Sequence, residues 1–182
     1  HKGMVRKVNQ DSFGSIKTGW GDLYVVADGM GGHKGGETAS KLTVDYLCDA
    51  FKKEKTESPE NFLCDTLLMA DAAVRKKAEE DSSLKGMGTT AVAVIIKDDM
   101  AYYAHVGDSR IYLFQHSKGH QLTKDHSYVQ QLVDEGIIKP EEAESHPEKN
   151  KILQAIGVGN VTPASSRIKL YKDDVLLLCS DG

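Results

Sequence analysis

The sequence predicts an α+β fold in which antiparallel sheets carry a pair of long helices. Two observations lead there. Extended apolar runs follow one another across short turns, and the order of elements is strands, two long helices, strands, a polar helical insert, strands. With 182 residues, 40% of them hydrophobic and 27% charged, the chain suits one domain with a real core. Disordered and collagen-like classes are excluded.

Residues 12–28 read as two extended segments around a turn at Thr18-Gly19-Trp20-Gly21, with Leu23 to Ala27 as a buried strand. That strand ends at Asp28 in a glycine-rich turn running to Gly36. A helix follows from Glu37 to Lys53, with Leu42, Tyr46, Leu47, Ala50 and Phe51 on its apolar face. Ser58-Pro59 opens a second helix: a capping Ser, then Pro at the first helical position. Its stripe is Leu63, Leu67, Ala70, Val74 and Ala78. Thr89 to Ile96 and Ala101 to Phe114 are the next strands, joined by a turn at Lys97-Asp98-Asp99. Short helices are expected over Ser127 to Glu135 and Pro140 to Glu144, and strands over Arg167 to Tyr171 and Asp174 to Cys179. The apolar runs Ala91 to Ile96 and Val175 to Cys179 suit buried strands.

A net charge of −4 argues against a dedicated nucleic-acid binder. No apolar run approaches the roughly 18 residues that span a bilayer, and the N-terminus carries no signal-peptide pattern. The odd number of cysteines, Cys48, Cys64 and Cys179, far apart and without a C-x-x-C pair, indicates neither a disulfide framework nor a zinc site and suits a reducing cytoplasm. The first residue is not Met and the chain stops at Ser180-Asp181-Gly182 directly after a strand-like run, so both ends read as cut.

Acidic residues recur at strand ends and tight turns: Asn9-Gln10-Asp11-Ser12, Asp28-Gly29, Gly107-Asp108-Ser109-Arg110 and Ser180-Asp181-Gly182. Any one Asp-Gly is usually only a turn. Several of them converging would build an oxygen cage suited to hard cations such as Mg²⁺ or Mn²⁺.

Seven collinear segments then resemble the bacterial form of the metal-dependent serine/threonine protein phosphatases of type 2C (the PPM family). They are Arg6-x-x-Asn9-Gln10-Asp11-Ser12, Val26-Ala27-Asp28-Gly29-Met30-Gly31-Gly32, Gly88-Thr89-Thr90, His105-Val106-Gly107-Asp108-Ser109-Arg110, Leu122-Thr123-x-Asp125-His126-Ser127, His146-Pro147-x-x-Asn150 and Ser180-Asp181-Gly182. The resemblance implies a four-layer α-β-β-α sandwich over residues 1–182, a single domain lacking the family's C-terminal strands. It implies two Mn²⁺ or Mg²⁺ ions, with room for a third, and hydrolysis of phosphoserine and phosphothreonine by in-line attack of a metal-bridging hydroxide. Asp28 would bridge the two metals, the Gly29 carbonyl would add a ligand, Asp181 would hold the first ion and Asp11 would lie beside the second. Asp108 and Asp181 match the third-ion positions. Arg6 matches the phosphate-binding arginine, whose fork takes two phosphate oxygens. Implied partners are phosphorylated proteins and a Ser/Thr kinase, with no nucleic acid or membrane insertion, for a monomer.

Three departures accompany the resemblance. Met30 stands where animal members carry a proton-donating His, leaving water as the donor and His33 as a nearby substitute. Gln10 stands where some members have Glu. The family's last metal-binding Asp, in an Asp-Asn motif, has no counterpart before Gly182. Asp125 to Asn150 matches the family's flap beside the active site, and Thr89 and Thr90 read as strand residues next to the site rather than nucleophiles. Rival readings are an inactive phosphoprotein-binding module on the same fold and a small-molecule phosphohydrolase.

Overall fold

The computed structural model describes residues 8–31, 34–116 and 118–180. Two antiparallel sheets face each other. The first has the order β1-β2-β4-β5-β8, with the two-residue β3 paired to β2. Its strands are β1 (Asp11–Thr18), β2 (Gly21–Met30), β3 (Gly88–Thr89), β4 (Ala91–Lys97), β5 (Met100–Val106) and β8 (Ala164–Lys169). The second has the order β7-β6-β9, from β6 (Arg110–Gln115), β7 (Lys118–Gln121) and β9 (Val175–Cys179). Helices α1 (Gly35–Lys53) and α2 (Pro59–Glu80) connect β2 to β3, and the short α3 (Tyr128–Asp134) and α4 (Pro140–Ala143) lie between β7 and β8.

The period of two along a strand divides the interior into two cores. On β4, Ala91, Ala93 and Ile95 join Leu23, Val25 and Ala27 of β2 beneath α1 and α2. Val92 and Val94 point the other way and meet Ile111 of β6, with Leu176 and Leu178 of β9 packed against them. One sheet therefore has helices on one face and the second sheet on the other. No helix among the described residues is long and apolar enough to cross a membrane.

Several expectations are corrected. On α1 the buried residues are Gly35, Gly36, Ala39, Ser40, Thr43, Val44, Leu47, Cys48 and Phe51, so Leu47 and Phe51 of the expected face are buried whereas Leu42, Tyr46 and Ala50 are only partly so. Small residues let the helix backbone approach the sheet, and the larger apolar ones flank the seam with α2. Ser58 occupies the N-cap of α2, but its side chain caps nothing. The run from Ala101 to Phe114 is two strands in different sheets, because Gly107 turns the chain with φ 97°. The strand over Lys118–Gln121 is fully exposed and carries no apolar alternation that would announce it. The strand expected over Arg167 to Tyr171 lies at Ala164–Lys169, whereas the one expected over Asp174 to Cys179 is found at Val175–Cys179. The last of these is not a buried strand: it lies at a sheet edge, with Val175 and Leu177 exposed and Leu176 and Leu178 turned inward.

Leu67 of α2 is fully buried in the core under the helices. Leu67→Ala is expected to lower stability by about 2–5 kcal/mol. Urea denaturation measures this, and a loss below about 1 kcal/mol would contradict the packing described.

Candidate active site

The β1–β2 hairpin closes at Thr18 opposite Gly21 and opens at Asp11 opposite Asp28. Residues directly opposite on paired strands share a face. Leu23, Val25 and Ala27 face the helices, so Asp28 projects toward the gap between the sheets, and Asp11 with it. Like charges directly opposite each other are destabilising unless something of opposite sign joins them. The donor set here is all oxygen, which fits a hard divalent cation.

The backbone under Asp28 is fixed from three directions. Its N–H donates to Thr90 Oγ1 at 3.1 Å, and its carbonyl accepts from Thr90 N–H at 2.9 Å and from Thr89 Oγ1 at 2.8 Å. Thr90 Oγ1 also lies 2.6 Å from Ser109 Oγ, both residues being buried. A chain of hydroxyls thus connects Asp28 to the residue that follows Asp108. Sequence reading placed the two threonines beside the site, as the structure does, but missed this coupling and the part played by Ser109. The adjacent Thr89-Thr90 pair opening a strand was the available signal.

Gly29 donates its N–H to Gln10 O at 3.2 Å. A Cβ at Gly29 would lie 2.7 Å from Gln10 O and overlap the Gly36 carbonyl, so only glycine lets the start of α1 close on this strand end. Ser40 of α1 donates to Gln10 O at 2.6 Å, and its hydroxyl lies 2.9 Å from Ser12 Oγ. The segment carrying Asp11 is held by these contacts.

Asp108 lines a cleft of about 510 Å³ with Arg110, Asp125, Ser127, Lys149, Asn150, Cys179 and Ser180. Ser180 Oγ donates to Asp11 Oδ2 at 3.5 Å, which brings Ser180 beside Asp11 across 169 residues. Arg110 grips Asp125 through two nitrogens, Nε at 3.0 Å from both carboxylate oxygens and Nη2 at 2.6 Å from Oδ2. Asp125 raises the arginine's pKa, chiefly through this hydrogen bond. The pair anchors the segment after β7 to β6, a role that sequence reading did not assign.

The structure therefore opposes Asp11 and Asp28, sets Gly29 beside them and places Asp108 in the adjoining cleft. Arg6, Asp181 and His33 lie outside the described residues. Among the described residues, no three His, Cys, Asp or Glu side chains form a cation site by themselves.

The sequence pattern of the family described as protein phosphatase 2C matches residues 4–182. The chain belongs to the protein phosphatase 2C family. It is a phosphoprotein phosphatase by that membership. The serine/threonine phosphatase stp of Listeria innocua is 40% identical over 187 residues, covering all of this chain and 74% of that protein. The serine/threonine protein phosphatase PstP of Mycobacterium tuberculosis is 39% identical over 188 residues, covering all of this chain and 34% of that protein. Among solved structures, the serine/threonine phosphatase of S. agalactiae superposes with a TM-score of 0.93 at 36% identity, over all of this chain and 76% of its own. The catalytic domain of PstP in complex with two manganese ions gives a TM-score of 0.84 at 35% identity, over all of this chain and 74% of that one.

Two predictions follow from the framework of this phosphatase site. Thr90→Val removes the hydroxyl shared by Asp28 N–H and Ser109 and should cost about 1–3 kcal/mol, read by urea denaturation; an unchanged midpoint would contradict the coupling. Burial, then the nearby His105, hold His126 down to about 4, and burial also lowers His105. The unfolded chain binds these protons from about pH 6.5 downward while the folded chain refuses them, so stability should fall as pH drops from about 6.5 toward 4. Urea midpoints at pH 7 and pH 5 measure this, and the difference should shrink in His126→Asn.

Proposed function

We propose that this phosphatase hydrolyses phosphoserine and phosphothreonine in proteins with the help of two divalent cations, Mn²⁺ or Mg²⁺, and room for a third. The observation that carries the reading is the register pairing of Asp11 with Asp28 at the open end of the first hairpin. Two carboxylates so placed offer oxygen ligands to cations between the sheets. The relatives named serine/threonine phosphatases and the solved PstP domain with two manganese ions support the same reading.

Asp28 and Asp11 would hold the cation pair, with the Gly29 carbonyl and Asp181 completing the set and Asp108 and Asp181 serving the third ion. When bound, the cations would supply a water-derived nucleophile at neutral pH and neutralise charge on the phosphoryl oxygens. Arg6 would bind the phosphate through its planar fork. The threonine pair keeps the Asp28 backbone from yielding, so its carboxylate is held in place before substrate arrives. Met30 closes β2 without a transferable proton, so the leaving alkoxide takes its proton from water. The segment from Asp125 to Asn150 borders the cleft and would shape access to it.

Residues 1–182 belong to a single phosphatase domain, which acts as a monomer on phosphoproteins and on a Ser/Thr kinase that opposes it. Cys48, Cys64 and Cys179 are all free thiols, which suits a cytoplasmic setting.

The test is phosphothreonine-peptide hydrolysis by the full-length protein, with and without Mn²⁺. Turnover should require the cation, be abolished by EDTA, and fall by about 100-fold or more in Asp28→Asn. Undiminished turnover in that variant would sink the metal assignment. Absence of turnover in a correctly folded wild type would favour a phosphoprotein-binding module, and preference for nucleotide monophosphates would favour a small-molecule phosphohydrolase.

A further inference from the structure

Gly107 immediately precedes Asp108 in the turn between the two sheets, and one residue captures both of its polar backbone groups. His126 N–H donates to Gly107 O at 2.9 Å, and Gly107 N–H donates to His126 Nδ1 at 3.3 Å. Such a two-point clamp fixes the peptide plane next to Asp108. The turn has little other freedom, because Gly107 sits at φ 97° with the Thr90 side chain filling the space where a Cβ would lie.

His126 also reaches outward. Its carbonyl accepts from Leu153 N–H at 2.8 Å, so both ends of the segment bordering the cleft meet at this residue. Its ring stacks on His105, with centroids 4.6 Å apart and 26° between planes. His105 Nε2 donates to Lys124 O at 2.8 Å and is thereby fixed in turn. Since Nδ1 of His126 receives a donor, it must carry a lone pair, and the ring proton sits on Nε2. Burial and the neighbouring imidazole favour this neutral form, against the opposing pull of Asp125.

We propose that His126 is a positioning residue for Asp108, using its Nδ1 lone pair and main-chain N–H to set the Gly107–Asp108 turn and lock it to the segment bordering the cleft. The inference rests on the reading of Asp108 as a cation-side carboxylate.

Two substitutions separate positioning from bulk. In His126→Asn the amide Oδ1 stands where Nδ1 stood and can still accept from Gly107 N–H. In His126→Gln the amide reaches the Nε2 position and leaves that N–H without its acceptor. With full-length protein and Mn²⁺ as the probe in isothermal titration calorimetry, His126→Gln should weaken binding about 10-fold and His126→Asn by less than about twofold. The Mn²⁺ concentration for half-maximal peptide hydrolysis should move in parallel, with a smaller change in kcat at saturation. In an Asp108→Asn background, His126→Gln should weaken binding no further. Equal behaviour of the two His126 variants, or an undiminished effect without the Asp108 carboxylate, overturns the proposal. Should the Gln variant fail to fold, the wild-type protein decides: a long-range ¹H–¹⁵N spectrum must show the Nε2–H tautomer at His126, and the Nδ1–H tautomer overturns the proposal. A folded wild type that takes up no Mn²⁺ would instead overturn the cation reading on which the inference rests, and calorimetry reveals this before any variant is made.

Discussion

Two carboxylates held opposite each other on paired strands form the constraint on which the rest of the site depends. Left alone, the Asp11–Asp28 pairing works against the hairpin, because like charges across a register are unfavourable. The hairpin tolerates it because the pair sits at the open end, seven register positions from the closing turn. Between the two lie Phe13 to Ile16 paired with Leu23 to Val26, and the Leu23 and Val25 side chains anchor the hairpin under the helices. Stability generated along the strands is used at their end, where a cation would return part of it by binding only the folded arrangement.

Because the carboxylates cannot be allowed to part, the backbone around them is over-determined. Thr89 and Thr90 satisfy both polar groups of Asp28, Ser109 continues the chain of hydroxyls into the second sheet, and Ser40 holds the peptide before Asp11. These hydroxyls lie where the two cores end and water would otherwise enter. Each is short, so it can bridge backbones without displacing the apolar packing on either side. The same economy explains Gly29 and Gly36: a side chain on either would force α1 away from the strand end it braces.

Much of this was legible in the sequence, and the failures have physical causes. Short apolar runs bounded by turn residues located β1, β2 and β4, and the Ser58-Pro59 start and apolar spacing located α2, although the Ser58 hydroxyl makes no cap. The acidic motifs pointed to strand ends and turns, although β2 runs two residues past the expected end at Asp28, because Gly29 and Met30 pair with β3. The break at Gly107 was missed because the apolar stretches on either side of Gly107-Asp108-Ser109-Arg110 read as one strand pair, and the positive φ of one glycine sends the two halves to different sheets. The buried face of α1 was misjudged because hydrophobicity ranks Leu42 and Tyr46 above Ser40 and Thr43, whereas close packing against a sheet selects for small size. The Arg110–Asp125 pair and the His126 clamp were invisible because each joins residues whose approach depends on how β6 and β7 place the following segment.

The site is therefore built from parts of unequal rigidity. Asp28 and Gly29 ride on β2, an inner strand whose neighbours Ala27 and Val25 are buried under the helices, and Asp11 rides on the edge strand β1, held to β2 by its register pairing. Asp108 rides on a turn, and turns are held only by what closes around them. In this chain the closing groups are Thr90 beneath the turn and His126 across it. Asp125, one residue from that histidine, is clamped to β6 by Arg110. The ion pair is only partly exposed, with the carboxylate nearly buried, so breaking it would strand a charge rather than release one to solvent. Beyond His126 the cleft is bordered by residues such as Glu144 and Lys149. The Arg110–Asp125 pair and the His126 clamp thus fix the start of the segment bordering the cleft to β6 and to the turn that carries Asp108.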